Sequence, residues 1–236
     1  MQVAVALGIA ATVLDPWSAQ FVLAVRTDGG GRYYNNFDDL DGVSASFRFS
    51  NMTPRSGMCQ LMATSYENYY RTLQNEVGVL SCNQASGAGA TCSGGPKRYF
   101  ESAIAGAYSC SEKGTANANT NYNFSTYRTG TRPSDGSEVM SSYIDGVFVG
   151  SVGGYVPSTG GYAHQIWYGP EVAYNAPTGG SFPCDSSWSV AGSWSSVQYR
   201  QRSTATWKSV TSSTLDTKYC LGFSGFTSSG AFNAGH

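Results

Sequence analysis

The chain has 236 residues, a formal net charge of −1 and only 12% charged residues, while 14% of its residues are aromatic. Without an excess of basic residues it lacks the electrostatic footprint of a protein that binds nucleic acid through phosphates. No apolar run reaches the roughly 20 residues that a membrane-spanning helix needs, so no membrane span is predicted.

The N-terminal segment has two interpretations. Residues 3–14 form an apolar run of the length found in the hydrophobic region of a secretory signal peptide. The first basic residue is Arg26, so the positively charged start of such a peptide is missing. Residues 1–24 are therefore predicted to be either a signal-like segment or the first strand of a mature chain. Residues 25–236 are predicted to form a single domain, because no linker divides them.

Alternation of apolar and polar residues predicts the strands that follow. In residues 42–51 every second side chain is apolar, which is the pattern of a strand with one buried face. The expected buried set is Val43, Ala45, Phe47 and Phe49. Further strands are predicted over residues 76–82 and 98–104.

The C-terminal half repeats this pattern. Asp145-Gly146 lies between two short apolar runs and predicts a tight β-hairpin, because both residues tolerate positive φ. A strand over residues 162–174 is expected to be interrupted by a bulge or edge break at Gly169-Pro170. Trp188 and Trp207 are expected in the core. No segment has a helical period, so the predicted fold is an all-β, two-sheet antiparallel sandwich or jelly roll.

The cysteines predict three disulfides and an extracellular location. Their spacing is irregular and forms no Cys-x-x-Cys or Cys/His motif, which argues against a zinc site. Six cysteines allow 15 pairings, and the sequence does not choose among them. Two short-range pairings to consider are Cys82–Cys92 and Cys184–Cys220. The six residues are Cys59, Cys82, Cys92, Cys110, Cys184 and Cys220.

Three glutamates are the candidate catalytic residues. Glu76, Glu101 and Glu171 fall within predicted strands and are flanked by apolar or aromatic residues. A carboxylate in such a position must be hydrogen-bonded, paired or facing a wet cleft. Two carboxyls in one cleft could serve as acid and base. The alternative is that all three lie on an exposed face and pair with basic residues.

A second constellation suggests ligand binding. Gln165 and Trp167 alternate along one predicted strand, and an aromatic ring beside an amide suits a sugar. Tyr168 and His164, the one histidine away from the C-terminus, are added to this candidate site. The alternative is that Trp167 belongs to the core.

An acidic turn is the only candidate metal site. Asp38, Asp39 and Asp41 provide a dense set of oxygen ligands that could hold a structural Ca²⁺. The pattern of an EF-hand is absent, so an Asp-rich turn without a cation is the alternative. No other cofactor is expected.

Four segments carry a resemblance to a known family. In order, they contain Glu76-Val77, Phe100-Glu101, the Tyr143–Gly146 hairpin and Gln165–Glu171. They resemble secreted, actinobacterial-type proteins with a concanavalin A-like lectin or glucanase jelly roll. That resemblance implies a concanavalin-like sandwich acting on glycans. The Glu-x-Asp-x-x-Glu strand common in glycosidases of that fold is missing here.

A fainter resemblance is to glutamic peptidases of the eqolisin type. These share a β-sandwich and use a Gln and a Glu from different strands. Glu76-Val77-Gly78, with Gln74 two residues earlier, is similar in setting to the segment that carries their Gln. The resemblance implies that Glu171 or Glu101 matches their Glu.

Three functional hypotheses follow, and the sequence leaves open whether the protein is an enzyme. The first is a secreted sandwich that binds or cleaves an extracellular glycan or polysaccharide. The second is a glutamic-type acid endopeptidase. The third is a surface protein that assembles with copies of itself. Convergent glutamates in a groove would favour an enzyme, whereas an aromatic platform would favour a lectin.

Overall fold

The computed structural model describes residues 25–30, 33–36, 39–68, 73–83, 92–104, 107–155, 164–176, 182–215 and 220–236. Within these ranges the chain forms strands, turns and loops, with no helix. No helix long and apolar enough to cross a bilayer is found in the described part of the chain. The predicted signal-like segment, residues 1–24, lies outside it.

The strands are short to medium in length and follow one another closely. They are β1 Val25–Gly30, β2 Tyr33–Asn36, β3 Leu40–Thr53, β4 Met58–Asn68, β5 Leu73–Asn83, β6 Gly94–Ile104, β7 Ala107–Thr115, β8 Tyr122–Thr131, β9 Glu138–Ile144, β10 Val147–Tyr155, β11 His164–Ala176, β12 Ser189–Gln201, β13 Trp207–Ser209, β14 Thr214–Leu215, β15 Gly222–Phe223 and β16 Phe232–Gly235.

These strands form two antiparallel sheets, so the predicted all-β sandwich is confirmed. Sheet A has the order β14-β2-β11-β4-β5-β6-β7, and β1 also pairs with β11. Sheet B has the order β10-β9-β8-β3-β12-β16-β15, and β13 also pairs with β12. Strands that are neighbours in the sheet are often distant in sequence, as with β11 and β4. The centre of sheet A is therefore assembled from remote segments.

The main core lies between the two sheets. The alternation predicted for β3 is confirmed, since Val43, Ala45, Phe47 and Phe49 are each 1% exposed or less. Aromatic rings continue this core across sheet B. The Trp194 ring centroid lies 4.9 Å from that of Phe47 and 4.7 Å from that of Phe232, distances at which aromatic pairs add to the stability gained by burial.

Both local signals are found in the structure: the tight hairpin at Asp145-Gly146, and an edge break at Gly169-Pro170 on one side of β11. Asp145 and Gly146 adopt φ of 52° and 77° and join β9 to β10. Gly169 and Pro170, expected to interrupt a strand, lie inside β11, whose pairing with β4 is continuous from His164 to Tyr174. Along its other edge β11 pairs with β2 up to Tyr168 and with β1 from Glu171. Pro170 therefore lies where β11 changes partner from β2 to β1, and an unpaired stretch of strand edge of this kind is where sheets accommodate proline.

The two tryptophans expected in the core are placed differently. Trp188 is 2% exposed and is part of the core. Trp207 is half-buried on β13, at the edge of sheet B, and contacts Tyr127 edge to face. The core prediction is therefore wrong for Trp207, because β13 pairs only along the margin of the sheet.

Three disulfides are present, as predicted from the six cysteines. Cys59 is bonded to Cys82, Cys92 to Cys110, and Cys184 to Cys220. The Cys184–Cys220 pairing considered from the sequence is therefore found, and the Cys82–Cys92 pairing is not. The register explains the second outcome, because Cys59 and Cys82 are directly opposite each other on β4 and β5.

Two buried carboxyl groups, Asp41 and Glu138, are paired with partly buried arginines. Asp41, with a fully buried side chain, accepts hydrogen bonds from Arg128 at 3.2 Å and from Arg200 at 2.9 Å. Glu138 pairs with Arg202 through both carboxylate oxygens. Burial raises the pKa of Asp41 despite the opposing effect of the two arginines.

Candidate functional site

The outer face of sheet A carries two rows of polar side chains. In β4, β5, β6 and β11, alternate residues such as Tyr66, Val77, Phe100 and Ile166 point into the main core. Their neighbours in sequence therefore point to the other side of the sheet. We call the following group of six the acidic face. It comprises Ser65, Glu67, Gln74, Glu76, Glu101 and Gln165.

The register places these residues side by side. In the first row, Glu67 on β4 is the Cα partner of Gln165 on β11 and of Gln74 on β5. In the second row, Glu76 on β5 is the partner of Ser65 and of Glu101. Directly opposed residues in antiparallel strands have Cβ atoms about 4.5–5.5 Å apart. The acidic face thus brings three carboxyl groups and two amides into one patch.

All three carboxyl groups are buried. Glu76 is 0% exposed, Glu101 4% and Glu67 7%. A small apolar cluster on the same side of the sheet, which includes Leu61 and Leu80, borders the patch. Burying a carboxyl group costs free energy unless the group is hydrogen-bonded. The hydrogen-bond donors of these carboxyl groups therefore define how the groups are held.

The Glu76 carboxyl is held at both oxygens. The Tyr99 hydroxyl donates a hydrogen bond to Oε1, and the Gln74 amide nitrogen donates to Oε2 at 3.2 Å. In the neighbouring row, the Ser65 hydroxyl donates to Oε1 of Glu67 at 3.0 Å. Fixed donors of this kind set the orientation of the carboxyl before any substrate is bound.

Disulfides join the strands that carry the acidic face. Cys59–Cys82 links β4 to β5 on the outer face. Cys110 on β7 is the Cα partner of Glu101, and its disulfide to Cys92 adds a second link at that side. The Cys92–Cys110 bond therefore adjoins the Glu76–Glu101 pair, whereas Cys59–Cys82 links β4 and β5 six residues further along.

Gly78 allows β4 and β5 to approach closely next to the site. A Cβ added at this position would lie 2.3 Å from the Met62 carbonyl oxygen and 2.7 Å from the Ala63 Cα atom. Both contacts are with backbone, so they could be relieved only by moving the strands apart. Gly78 is also the Cα partner of Tyr99, the residue that donates to Glu76.

Glu171, the third predicted catalytic residue, is separated from the other two. It lies on the outer face of β11, as Gln165 and Trp167 do, but is the partner of Leu61 and is four residues from Trp167. At roughly 3.4 Å per residue this is about 14 Å along the strand from the row of Glu76. The structure therefore brings Glu76 and Glu101 together and leaves Glu171 outside the acidic face.

The predicted ligand-binding residues are divided between the two faces of β11. Gln165 and Trp167 point outward, and Trp167 is 6% exposed, so it presents no open aromatic surface. Tyr168 and His164 point into the core at 0% and 2% exposure. The His164 Nδ1 atom shares a 2.7 Å hydrogen bond with the Tyr66 hydroxyl. The prediction of one site containing all four is corrected by the strand's alternation.

Two of the three predicted calcium ligands, Asp39 and Asp41, have other partners. Asp39 accepts a 2.9 Å hydrogen bond from the backbone nitrogen of Ser203, and Asp41 lies between two arginines. Asp38 is outside the described residues. In the described ranges, no group of three His, Cys, Asp or Glu residues could hold a metal ion.

Glu67 is the carboxyl group of the site that the sequence analysis does not single out. Ten consecutive residues of β4 are buried, from Met58 to Glu67. A strand buried on both faces shows no alternation of apolar and polar residues, so the outward direction of Glu67 was hidden. The available signal was the small or polar series Ala63, Ser65 and Glu67 at every second position.

Comparison with known proteins supports the fold. No protein-family model matches the chain, and no curated protein matches it in sequence. Scytalido-glutamic peptidase, solved with a peptide-based transition state analog, superposes with a TM-score of 0.52 over 89% of this chain and 98% of that chain, at 12% identity. At this identity the likeness shows a shared sandwich fold and nothing of function.

Two other solved structures are more distant. Carbohydrate-binding module CBM66 from Bacillus subtilis has a TM-score of 0.34 at 14% identity, covering 65% of this chain and 88% of that chain. A Bacillus licheniformis β-glucanase has a TM-score of 0.33 at 12% identity, covering 64% of this chain and 75% of that chain. Neither superposition is close enough to bear on the site.

Proposed function

We propose that this chain is a secreted, glutamate-dependent hydrolase that cleaves peptide bonds in acid at the acidic face. The observation that carries the proposal is the direct opposition of Glu76 and Glu101, with a glutamate and two glutamines in the next row. The three disulfides fit an oxidising, extracellular environment.

In the proposed reaction Glu76, Gln165 and Glu101 have separate roles. Glu76, held by Tyr99 and Gln74, accepts a proton from a water molecule whose oxygen attacks the carbonyl carbon of the scissile bond. The Gln165 amide donates a hydrogen bond to the oxyanion that forms. Glu101 delivers a proton to the leaving nitrogen as the carbon–nitrogen bond breaks. A glutamic peptidase is also the function of the structure that superposes at a TM-score of 0.52.

A second candidate is hydrolysis of a polysaccharide. The Cβ spacing of about 4.5–5.5 Å for a directly opposed pair is compatible with carboxyls about 5–5.5 Å apart, the separation used by retaining glycosidases. Glu101 would then act as the acid and Glu76 as the nucleophile. This candidate uses the same two residues, so only the substrate separates it from the first.

Substrate choice is the experiment that tests the proposal. Purified protein is incubated between pH 3 and pH 6 with acid-denatured haemoglobin and, separately, with a soluble β-glucan, and new amino termini and reducing ends are counted. We expect new amino termini with wild type, and none with Glu101→Gln. If reducing ends form from the glucan and no new amino termini form, the glycosidase replaces the peptidase as the proposal. If neither product forms, both candidates are overturned.

A further inference from the structure

A line of aromatic side chains crosses the outer face of sheet B. Tyr127 on β8, Tyr143 on β9, Phe148 on β10 and Trp207 on β13 form this set, which we call the aromatic stripe. Sheet order places β13, β12, β3, β8, β9 and β10 next to one another. Neighbouring ring centroids along it are 4.9–5.9 Å apart, so the stripe is at most about 17 Å long.

The rings of the stripe contact one another in two orientations. Tyr127 and Tyr143 are stacked, with centroids 4.9 Å apart and planes 10° apart. Phe148 meets Tyr143 at 70° and Trp207 meets Tyr127 at 86°, both with centroids 5.9 Å apart. The two end rings are thus turned nearly perpendicular to the central pair, and the stripe offers ring faces in more than one direction.

These residues are not part of the core. Phe148 is 57% exposed, and the other three are half-buried. Their Cα partners include Ser141, Ser125 and Arg200, on the side of the sheet opposite the main core. A row of aromatic rings that are partly or fully exposed on one sheet face is a candidate interaction surface.

The surroundings of the stripe are neutral and rich in hydroxyls. Outward-facing positions beside it on β3, β8, β10 and β12 are occupied by Ser44, Ser125, Ser151 and Gln198. The Arg200 guanidinium lies over the Tyr127 ring, 5.5 Å from its centroid, and its charge is paired with Asp41 at 2.9 Å. The border therefore supplies hydrogen-bonding groups with little net charge.

We propose that the aromatic stripe binds a neutral polysaccharide chain. Sugar rings present C–H groups that pack on aromatic faces, while serine hydroxyls and a glutamine amide hydrogen-bond to sugar hydroxyls. Serine is depleted in interfaces between proteins, so a serine-rich border favours a glycan over a second protein chain. The site is on sheet B, away from the acidic face on sheet A, and does not depend on the function proposed there.

The chain offers a matched pair of variants for the test. Phe148 and Val147 are adjacent in β10, both apolar and both exposed, at 57% and 67%. Phe148 is the Cα partner of Tyr143, whereas Val147 is the partner of the core residue Ile144. Phe148→Ser removes a ring from the stripe, and Val147→Ser removes an equally exposed side chain outside it.

Depletion from solution by insoluble cellulose, chitin and β-1,3-glucan measures binding, with thermal unfolding as the check on folding. We expect wild type and Val147→Ser to bind at least one polymer equally, and Phe148→Ser to bind about tenfold more weakly. Absence of binding by wild type, or equal binding by both variants, overturns the proposal. If wild type dimerises, Phe148→Ser does not, and no polysaccharide is bound, the stripe is a self-association surface. That result also overturns the proposal.

Discussion

Glu76 and Glu101 are Cα partners on adjacent strands, and both are at most 4% exposed. Cys110 on β7 is the Cα partner of Glu101, so the Cys92–Cys110 disulfide lies next to this pair. Two buried carboxyl groups in this relationship are unusual for a purely structural role, because burial of a carboxylate costs free energy that an apolar pair would not.

The Tyr99 hydroxyl is expected to hold the Glu76 carboxyl in place. Tyr99→Phe removes the donor to Oε1 and keeps the buried ring. We expect the free energy of unfolding to fall by about 1–3 kcal/mol, together with a lower kcat. Tyr143→Phe, on the aromatic stripe, is the control and should leave kcat unchanged. An unaltered kcat in Tyr99→Phe would show that this hydrogen bond has no part in orienting Glu76.

Gln165 is expected to act on the transition state. Gln165→Ala removes the proposed oxyanion donor on β11, and kcat for peptide hydrolysis should fall by about 10²–10³ with little change in KM. Gln198→Ala on the outer face of sheet B is the matched control. A change in KM alone would assign Gln165 to substrate binding.

Much of the fold could be predicted from local patterns, and the arrangement of the site could not. Alternation identified β3, and Asp145-Gly146 identified the β9–β10 hairpin, because both signals act over a few residues. The register between β11 and β4 joins segments about a hundred positions apart in the sequence, and no local pattern fixes it. The sequence therefore groups Glu171 with Glu76 and Glu101, although Glu171 lies four residues along β11 from the row of Glu76.

The two faces of a strand were also harder to separate when both are buried. β4 gives no alternating pattern, so the sequence does not single out Glu67. Both faces of β11 are also buried around Trp167 and Tyr168, so the sequence places these two residues in one site. The aromatic stripe was missed for a different reason, since Tyr127, Tyr143 and Phe148 come from three strands and meet only in the sheet.

The Cys59–Cys82 disulfide is expected to stabilise the fold. Replacing both cysteines by alanine releases a loop of 23 residues in the unfolded chain, and the free energy of unfolding should fall by about 3 kcal/mol. Urea unfolding measures this change. Replacing Cys184 and Cys220 is the comparison, and it should leave the activity of the folded protein intact because neither residue belongs to sheet A.

Asp41 is expected to make the folded protein more stable at acid pH than at neutral pH. Burial raises its pKa above 3.8 in the folded state, so the folded chain binds a proton more readily than the unfolded chain does. The stabilising contribution is complete below the unfolded pKa and is lost as the pH rises through the folded pKa. Urea unfolding between pH 3 and pH 7 should show the stability of wild type relative to Asp41→Asn declining over that window. A relative stability that rises with pH would contradict this.

The central claim is that Glu76 is the catalytic base of the acidic face. Its most direct test is the initial rate of peptide-bond hydrolysis at pH 3–4 for wild type, Glu76→Gln and Glu171→Gln, each shown by circular dichroism to be folded. We expect wild type and Glu171→Gln to cleave at the same rate, and Glu76→Gln to be slower by about a hundredfold or more. Undiminished hydrolysis by Glu76→Gln, or its loss in Glu171→Gln, would contradict the assignment.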